Sequence, residues 1–275
     1  MRENTLETDW GALYYRVYGE GKPVVLLHGF GTDGAIWEKQ AAYLEKKYRL
    51  IVPDLPGSGR SVRHDAPLSI EMLADNLLLI IENENISSCS LIGHSMGGYI
   101  TLAFAEKYAD RLKSFGLVHS TAYADDEAKI NSRKKNIAFI NTFGAAKYLS
   151  QAIPGFFSAG FKASHPDVVN DLIARHSDFQ ASSLVRYTEA MIDRPERTGV
   201  LKKFAGPVLF IAGEHDALIP LEQSLKLCKI PELSYIYVCV QSGHMGMLEE
   251  PEFCSAAIDR FLSYDESIDR PTPYM

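Results

Sequence analysis

One stretch constrains this chain more than any other: Leu91-Ile92-Gly93-His94-Ser95-Met96-Gly97-Gly98. The apolar run Ser90-Leu91-Ile92 reads as a short buried strand that stops at Gly93. A helical pattern starts near Gly97 and carries Tyr99, Ile100, Leu102, Ala103, Phe104 and Ala105. Ser95 therefore sits where a strand turns sharply into a helix, with a glycine two residues to either side. Such a turn strains the backbone at its apex, and side chains at the flanking positions would collide. Small flanks permit the turn and leave the apex hydroxyl pointing outward. The N–H groups of Met96 and Gly97 open the helix and face any negative charge that forms beside Ser95.

Gly93-His94-Ser95-Met96-Gly97-Gly98 resembles the nucleophile elbow of the α/β-hydrolases. The resemblance implies an α/β fold: a mostly parallel eight-stranded sheet flanked by helices, with a helical cap inserted after the sixth strand. It also implies a fixed chain order of oxyanion loop, elbow, acid and histidine, against which the remaining sequence can be read.

Thr5–Thr8 and Leu13–Tyr18 alternate weakly and predict two antiparallel edge strands. Val24-Val25-Leu26-Leu27 reads as a buried parallel strand and ends in His28-Gly29-Phe30-Gly31. If Ser95 is a nucleophile, acyl transfer builds an oxyanion that needs two backbone donors. The residue after the nucleophile, Met96, supplies one. The family pattern places the other at Phe30 and makes His28 a structural residue beneath the loop. A helix is expected from Ala35 to Lys46, then a strand at Arg49–Pro53. Asp54-Leu55-Pro56-Gly57-Ser58-Gly59-Arg60-Ser61 matches the family's D-x-P-G-x-G-x-S loop, which shapes a crossover, with Asp54 capping backbone donors. No P-loop lysine follows, so a phosphate cradle is not expected. Ser69–Asn83 has the spacing of an amphipathic helix, and Phe115–Val118 that of another buried strand.

From Thr121 to about Ala205 the strand-like runs give way to helical stretches, roughly 126–143, 144–153, 166–177 and 179–192. The resemblance implies the cap here, dividing the chain into a core segment 1–120, a cap 121–205 and a second core segment 206–275. Aromatic and thioether side chains of this segment, Phe139, Phe143, Phe157 and Met191 among them, are candidates to line an apolar substrate pocket. The α/β pattern returns at Val208–Ala212, followed by Gly213-Glu214-His215-Asp216, where the family places its acid in a G-x-x-D turn. A helix is expected at 221–229, the last strand at Tyr235–Val238 and a closing helix from Pro251 to Leu262. Between them, Gly243-His244 with Glu249 and Pro251 resembles the family's G-H-x-x-x-x-E-x-P loop, with His244 as base.

A serine hydroxyl is a poor nucleophile unless a base lies within hydrogen-bond reach and an acceptor orients that base. Ser95, Asp216 and His244 each follow an expected parallel strand and occur in the family's order. Asp125 is the rival acid, because some relatives place the acid after the preceding strand. His94 and His215 adjoin site residues and read as packing neighbours. His64, His119, His165 and His176 have no supporting context, although His119 could border the pocket.

Composition narrows the partners. The 275 residues are 46% hydrophobic and 23% charged with a net charge of −7, an ordinary balance for a packed domain and a poor one for nucleic acid or an anionic membrane. No segment has the ~18 apolar residues of a membrane span, and no apolar stretch follows a basic N-terminal region as in a secretory leader. Cys89, Cys228, Cys239 and Cys254 show no metal-binding spacing and read as reduced thiols of a cytoplasmic protein. No metal or cofactor is expected. The tail from Ser263 to Met275 is polar, proline-containing and expected to pack loosely. The expectation is a serine hydrolase acting on a small to medium apolar carboxylic ester through an acyl-enzyme, with a small molecule as its partner. The alternatives are carbon–carbon bond hydrolysis of a β-diketone-like ring-cleavage product, a triad-retaining receptor with slow turnover, and a cofactor-free oxidase or perhydrolase. Nothing in the sequence sets the oligomeric state.

Overall fold

Continuous apolar runs are buried on both faces only when helices cover both sides of a sheet. The computed structural model, which describes residues 1–62 and 67–263, meets that condition. Its strands are β1 (Arg2–Thr8), β2 (Gly11–Tyr18), β3 (Lys22–Leu27), β4 (Tyr48–Pro53), β5 (Cys89–His94), β6 (Leu112–Val118), β7 (Val208–Gly213) and β8 (Ser234–Cys239). Among the described residues they form one eight-stranded sheet in the order β1-β2-β4-β3-β5-β6-β7-β8. From β4 onward the pairings are parallel, while β1 and β2 are antiparallel.

The helices of the core are α1 (Glu38–Leu44), α2 (Ile70–Asn83) and α3 (Met96–Lys107). Between β6 and β7 lie α4 (Glu127–Phe143), α5 (Ala145–Ala152), α6 (Ala159–Ser164), α7 (Pro166–Arg175), α8 (Ala181–Asp193) and α9 (Thr198–Lys203). The chain closes with α10 (Leu221–Leu227), α11 (Gly246–Glu249) and α12 (Pro251–Leu262). No helix among the described residues is long and apolar enough to cross a membrane.

Several elements differ from the sequence reading. β2 is not an edge strand; it lies between β1 and β4, with Tyr15 and Val17 buried. Strands extend beyond their apolar runs because ladder pairing continues through small or polar ends such as Gly93 and His94. The helix expected at 35–46 divides into a 3-10 turn, Gly34–Trp37, capped by the Asp33 carboxylate on Ala35 N–H, and then α1. α6 and α9 have six residues each, too few for periodicity to reveal them. His64 and residues 264–275 lie outside the described residues.

The helical insertion is tied to the sheet by polar contacts as well as by packing. The Tyr187 hydroxyl, on α8, donates to the Pro56 carbonyl at 2.7 Å and lies 2.7 Å from Ser58 Oγ, in the loop after β4. Arg197 reaches Glu106 at 2.9 Å and also pairs with Glu71, while its amide donates to the Ala122 carbonyl at 2.8 Å. Tyr187→Phe removes the shared hydroxyl and leaves buried polar partners facing a ring edge. It should cost about 1–3 kcal/mol, read as a lower urea midpoint at unchanged m-value.

Candidate active site

The C-terminal ends of β3, β5, β6, β7 and β8 lie along one rim of the sheet, so the loops that follow them converge. At the end of β5, Ser95 adopts φ 51° and ψ −117°, a conformation that side chains rarely take. The glycines explain how it is accommodated. A Cβ on Gly97 would lie 2.6 Å from the His28 carbonyl oxygen and 2.7 Å from that of Leu27. One on Gly93 would lie 2.3 Å from the Gly97 carbonyl oxygen. Backbone thus packs on backbone on both sides of the turn. The Ser95 amide donates to the Val118 carbonyl at 2.9 Å, and the Ser95 carbonyl accepts from Ser120 Oγ at 2.7 Å and Gly98 N–H at 2.9 Å. Ser95 is half-buried, while its neighbours in the elbow are buried.

The loop after β3 lies against this turn: a Cβ on Gly29 would come within 3.0 Å of Ser95 Cβ. His28 beneath it is fully buried. Its Nδ1–H donates to the Gly29 carbonyl at 2.8 Å, and its Nε2 accepts the Leu55 amide at 2.8 Å. Asp54 accepts the amides of Gly34 and Arg60 at 2.9 Å each, and pairs with Arg16 at 3.1 Å.

Asp216 follows β7. Its Oδ1 accepts the amides of Leu218 and Ile219 at 2.9 Å each. Its Oδ2 accepts from His244 Nδ1–H at 2.8 Å and from His119 Nδ1–H at 3.2 Å. Burial by itself would raise this carboxyl, but the two imidazoles outweigh it and hold the group well below the usual carboxylate range. Asp125, the rival acid, is engaged elsewhere. Arg133 Nε donates to it at 2.5 Å and Arg194 at 2.8 Å.

The loop that carries His244 is clamped by two carboxylates. Glu249 accepts the Gly243 amide at 3.0 Å and the Met245 amide at 3.2 Å on one oxygen. On the other it accepts the amide of Ser158, from the helical insertion, at 2.9 Å. Glu250 accepts Gln241 N–H at 2.9 Å and Ser242 Oγ at 2.6 Å. The His244 amide itself donates to the Phe156 carbonyl at 2.6 Å.

Two histidines that the sequence left as bystanders touch this machinery. His94 donates Nε2–H to the His244 carbonyl at 2.9 Å, and the two rings stand 4.9 Å apart. Burial, with His244 and His119 adding to it, holds the His94 pKa well below the usual histidine value. His119 is fully buried at φ 47° and shares Asp216 Oδ2 with His244. Burial opposes its protonation, while Asp216 and Cys239 favour it. The Gly246 amide, however, donates to His119 Nε2 at 3.1 Å, and an imidazolium would set N–H against N–H there. That contact assigns the neutral Nδ1–H tautomer. Its only sequence signal was its position at the end of a parallel strand. Elsewhere, His215 and His165 are exposed and His176 donates to the Leu172 carbonyl at 2.9 Å.

His119, Asp216 and His244 are the one group among the described residues able to converge on a metal ion. Both Nδ1 atoms already face Asp216 Oδ2 and His119 Nε2 receives an amide, so those positions are committed to hydrogen bonds. The four cysteines are free thiols, with Cys239 and Cys254 Sγ 3.6 Å apart in the core.

A cavity of about 160 Å³ opens beside Ser95 and His244. Phe30, Tyr99, Tyr148, Phe156, Met191 and Ile219 give it apolar walls. Of the four pocket candidates Met191 lines it, and Phe139, Phe143 and Phe157 do not. Phe143 is 60% exposed on the outside of α4. Phe139 packs between Phe143 and Tyr148, and Phe157 stacks on Phe161 and is buried in the cluster that joins the insertion to the sheet. Polar residues of α4, including Ser132 and Asn136, take the wall that those aromatics were expected to form.

Known proteins share this architecture along its length. The family model for the alpha/beta hydrolase fold matches residues 22–251. The chain is 29% identical over 248 residues to the pimeloyl-(acyl-carrier protein) methyl ester esterase of Vibrio vulnificus, covering 88% of this chain and 95% of that one. It is 25% identical over 259 residues to 3-oxoadipate enol-lactonase 2 of Acinetobacter baylyi, covering 94% and 95%. A thermophilic esterase from Thermogutta terrifontis, solved with malate bound, superposes with a TM-score of 0.90 at 28% identity, covering 95% and 98%. The eight-stranded sheet, the strand-to-helix turn at Ser95 and the matched span identify the chain as a member of the α/β-hydrolase family, whose relatives here are hydrolases.

Proposed function

We propose that this chain is a serine hydrolase that cleaves carboxylic esters through an acyl-enzyme, with Ser95 as nucleophile, His244 as base and Asp216 as acid. The observation that carries this reading is the 2.8 Å bond from His244 Nδ1–H to Asp216 Oδ2, with Ser95 and His244 on the wall of one cavity. With Nδ1 donating to Asp216, Nε2 of His244 is free to take a proton from Ser95 Oγ. The hydroxyl oxygen then bonds to the ester carbon, and the carbonyl oxygen becomes an oxyanion held by the N–H groups of Phe30 and Met96. Collapse expels the alcohol, which takes the proton from His244. Water, deprotonated by His244, attacks the acyl-enzyme and releases the acid. Residues 121–205 act as the cap over this site. His119 is a positioning residue: by donating to Asp216 Oδ2 from the far side, it fixes the carboxylate that orients His244.

The reading is tested by steady-state hydrolysis of p-nitrophenyl esters from acetate to laurate. Ser95→Ala should lower kcat by about 10³–10⁶ with the fold intact; a variant that keeps most of its activity overturns the nucleophile. Asp216→Asn should lower kcat by about 10⁴, whereas Asp125→Asn should not. The reverse ranking would assign the acid to Asp125.

Because its carboxyl is held below the usual range, Asp216 stays ionised as pH falls past the ordinary carboxylate pKa. The acid limb of kcat/KM is therefore not set by protonation of Asp216. His119→Ala should lower kcat about 10- to 100-fold by removing a hydrogen bond to a charged group. It should also move the acid limb to higher pH, since Asp216 then carries more unshared charge beside His244. His119→Gln, which keeps a donor, should restore much of the loss. An acid limb that stays in place confines His119 to a structural role.

A further inference from the structure

We infer that the cavity beside Ser95 carries an anion subsite on α4, so that the ester it accepts bears a carboxylate set off from the scissile bond by a short apolar spacer. This rests on the serine-hydrolase reading of the same cavity and adds the substrate's charge to it.

Lys129, Ser132, Arg133 and Asn136 all line the cavity. Their spacing of three, four and seven residues puts them on one face of the helix. A cap helix ordinarily turns such a face to solvent. Here Lys134 and Lys135 occupy the solvent side and are exposed, while Lys129 and Arg133 are half-buried at the cavity wall. No aspartate or glutamate lines the cavity among the described residues. In a chain of net charge −7, the acidic and basic side chains that line this cavity are thus two cations, Lys129 and Arg133.

The nearest carboxylate does not cancel them. Asp125 is 1% exposed at its side chain and is shared by Arg133 and Arg194. Arg133 therefore shares its carboxylate with a second guanidinium, while the Asp126 carboxylate caps α4 on the Lys129 amide at 2.8 Å and leaves the Lys129 ammonium to the Leu218 carbonyl. The pairing also fixes direction. Asp125 takes Nε of Arg133, and Nη1 of Arg133 contacts Met191 Sδ at 3.3 Å, on the cavity wall. Lys129 Nζ donates to the Leu218 carbonyl at 3.1 Å, two residues beyond Asp216, which holds its ammonium at the rim above the acid loop. An ammonium has further donors to offer, and a guanidinium presents a planar fork suited to a carboxylate. The walls of the same cavity include Tyr148, Phe156 and Met191, which match an apolar spacer.

The test uses binding and turnover together. Dicarboxylates from succinate to suberate, each paired with its neutral diamide, are titrated calorimetrically into the intact protein. The best dicarboxylate should bind at least about tenfold tighter than its diamide. Its affinity should fall about fivefold or more in Lys129→Gln, and fall again as salt is raised from about 0.05 to 0.5 M. Arg133→Lys, which keeps the charge beside Asp125, should retain more affinity than Arg133→Gln. A series in which no dicarboxylate outbinds its diamide, or a Lys129→Gln protein that binds as wild type does, overturns the subsite. In turnover, the ratio of kcat/KM for the monomethyl ester of the preferred diacid over its amide-ended analogue should exceed about 10 and drop in Lys129→Gln. Charge-dependent binding without hydrolysis of any ester would uphold the subsite and sink the esterase reading. Hydrolysis with a ratio near 1 would do the opposite.

Discussion

The left-handed turn at Ser95 is the constraint on which the rest of the site depends. It holds because backbone meets backbone: the Gly97 Cα rests on the Leu27 and His28 carbonyls at the end of β3, and the Gly93 Cα on the Gly97 carbonyl. That packing couples the serine to the loop carrying Phe30, so the positions of the two are set by a single contact surface. Strain of this kind persists only where the surroundings over-determine it. Here the surroundings are the parallel strands on either side of β5, with the Val118 carbonyl at the end of β6 gripping the Ser95 amide.

Around that turn, electrostatics is arranged as a chain rather than a pair. Asp216 is a buried carboxylate with two amides on one oxygen and two imidazoles on the other. Four donors on one carboxylate leave it little freedom to rotate, and a carboxylate that cannot rotate fixes the plane of the ring it holds. His94 secures the same ring's backbone through the His244 carbonyl. His244 is therefore held at its side chain and at its main chain by separate groups.

Much of this was legible in the sequence, for identifiable reasons. Parallel strands buried on both faces write themselves as apolar runs, and Val24–Leu27, Val208–Ala212 and the elbow strand all stand out. The sharp turn demands glycine at fixed offsets, so Gly93 and Gly97 mark Ser95. The order of elbow, G-x-x-D turn and Gly-His loop marks the positions of Asp216 and His244, and the structure brings those two side chains into contact. The cavity wall was not legible. An aromatic residue in a helical insertion can face the cavity, the insertion's own core or solvent. Phe143 and Phe157 look alike in sequence and lie in opposite surroundings, one exposed and one buried. The polar residues of α4 carry no motif, and only the structure sets Lys129, Ser132, Arg133 and Asn136 on the cavity wall. The sequence read His94 as a packing neighbour and His119 as a possible pocket border, and only the convergence of strand ends shows their hydrogen bonds to His244 and Asp216.

Glu249 has a consequence for how the site opens. One carboxylate fastens two amides of the His244 loop and one amide of the insertion, at Ser158, while the His244 amide rests on the carbonyl of Phe156. The Phe156–Ser158 corner is thus part of the scaffold that holds His244. Lifting that corner would slacken the imidazole at the moment the cavity was exposed. The helical insertion and the histidine loop are thus fastened to each other at this corner by one carboxylate and one direct backbone bond, while α4 and α8 border the cavity elsewhere.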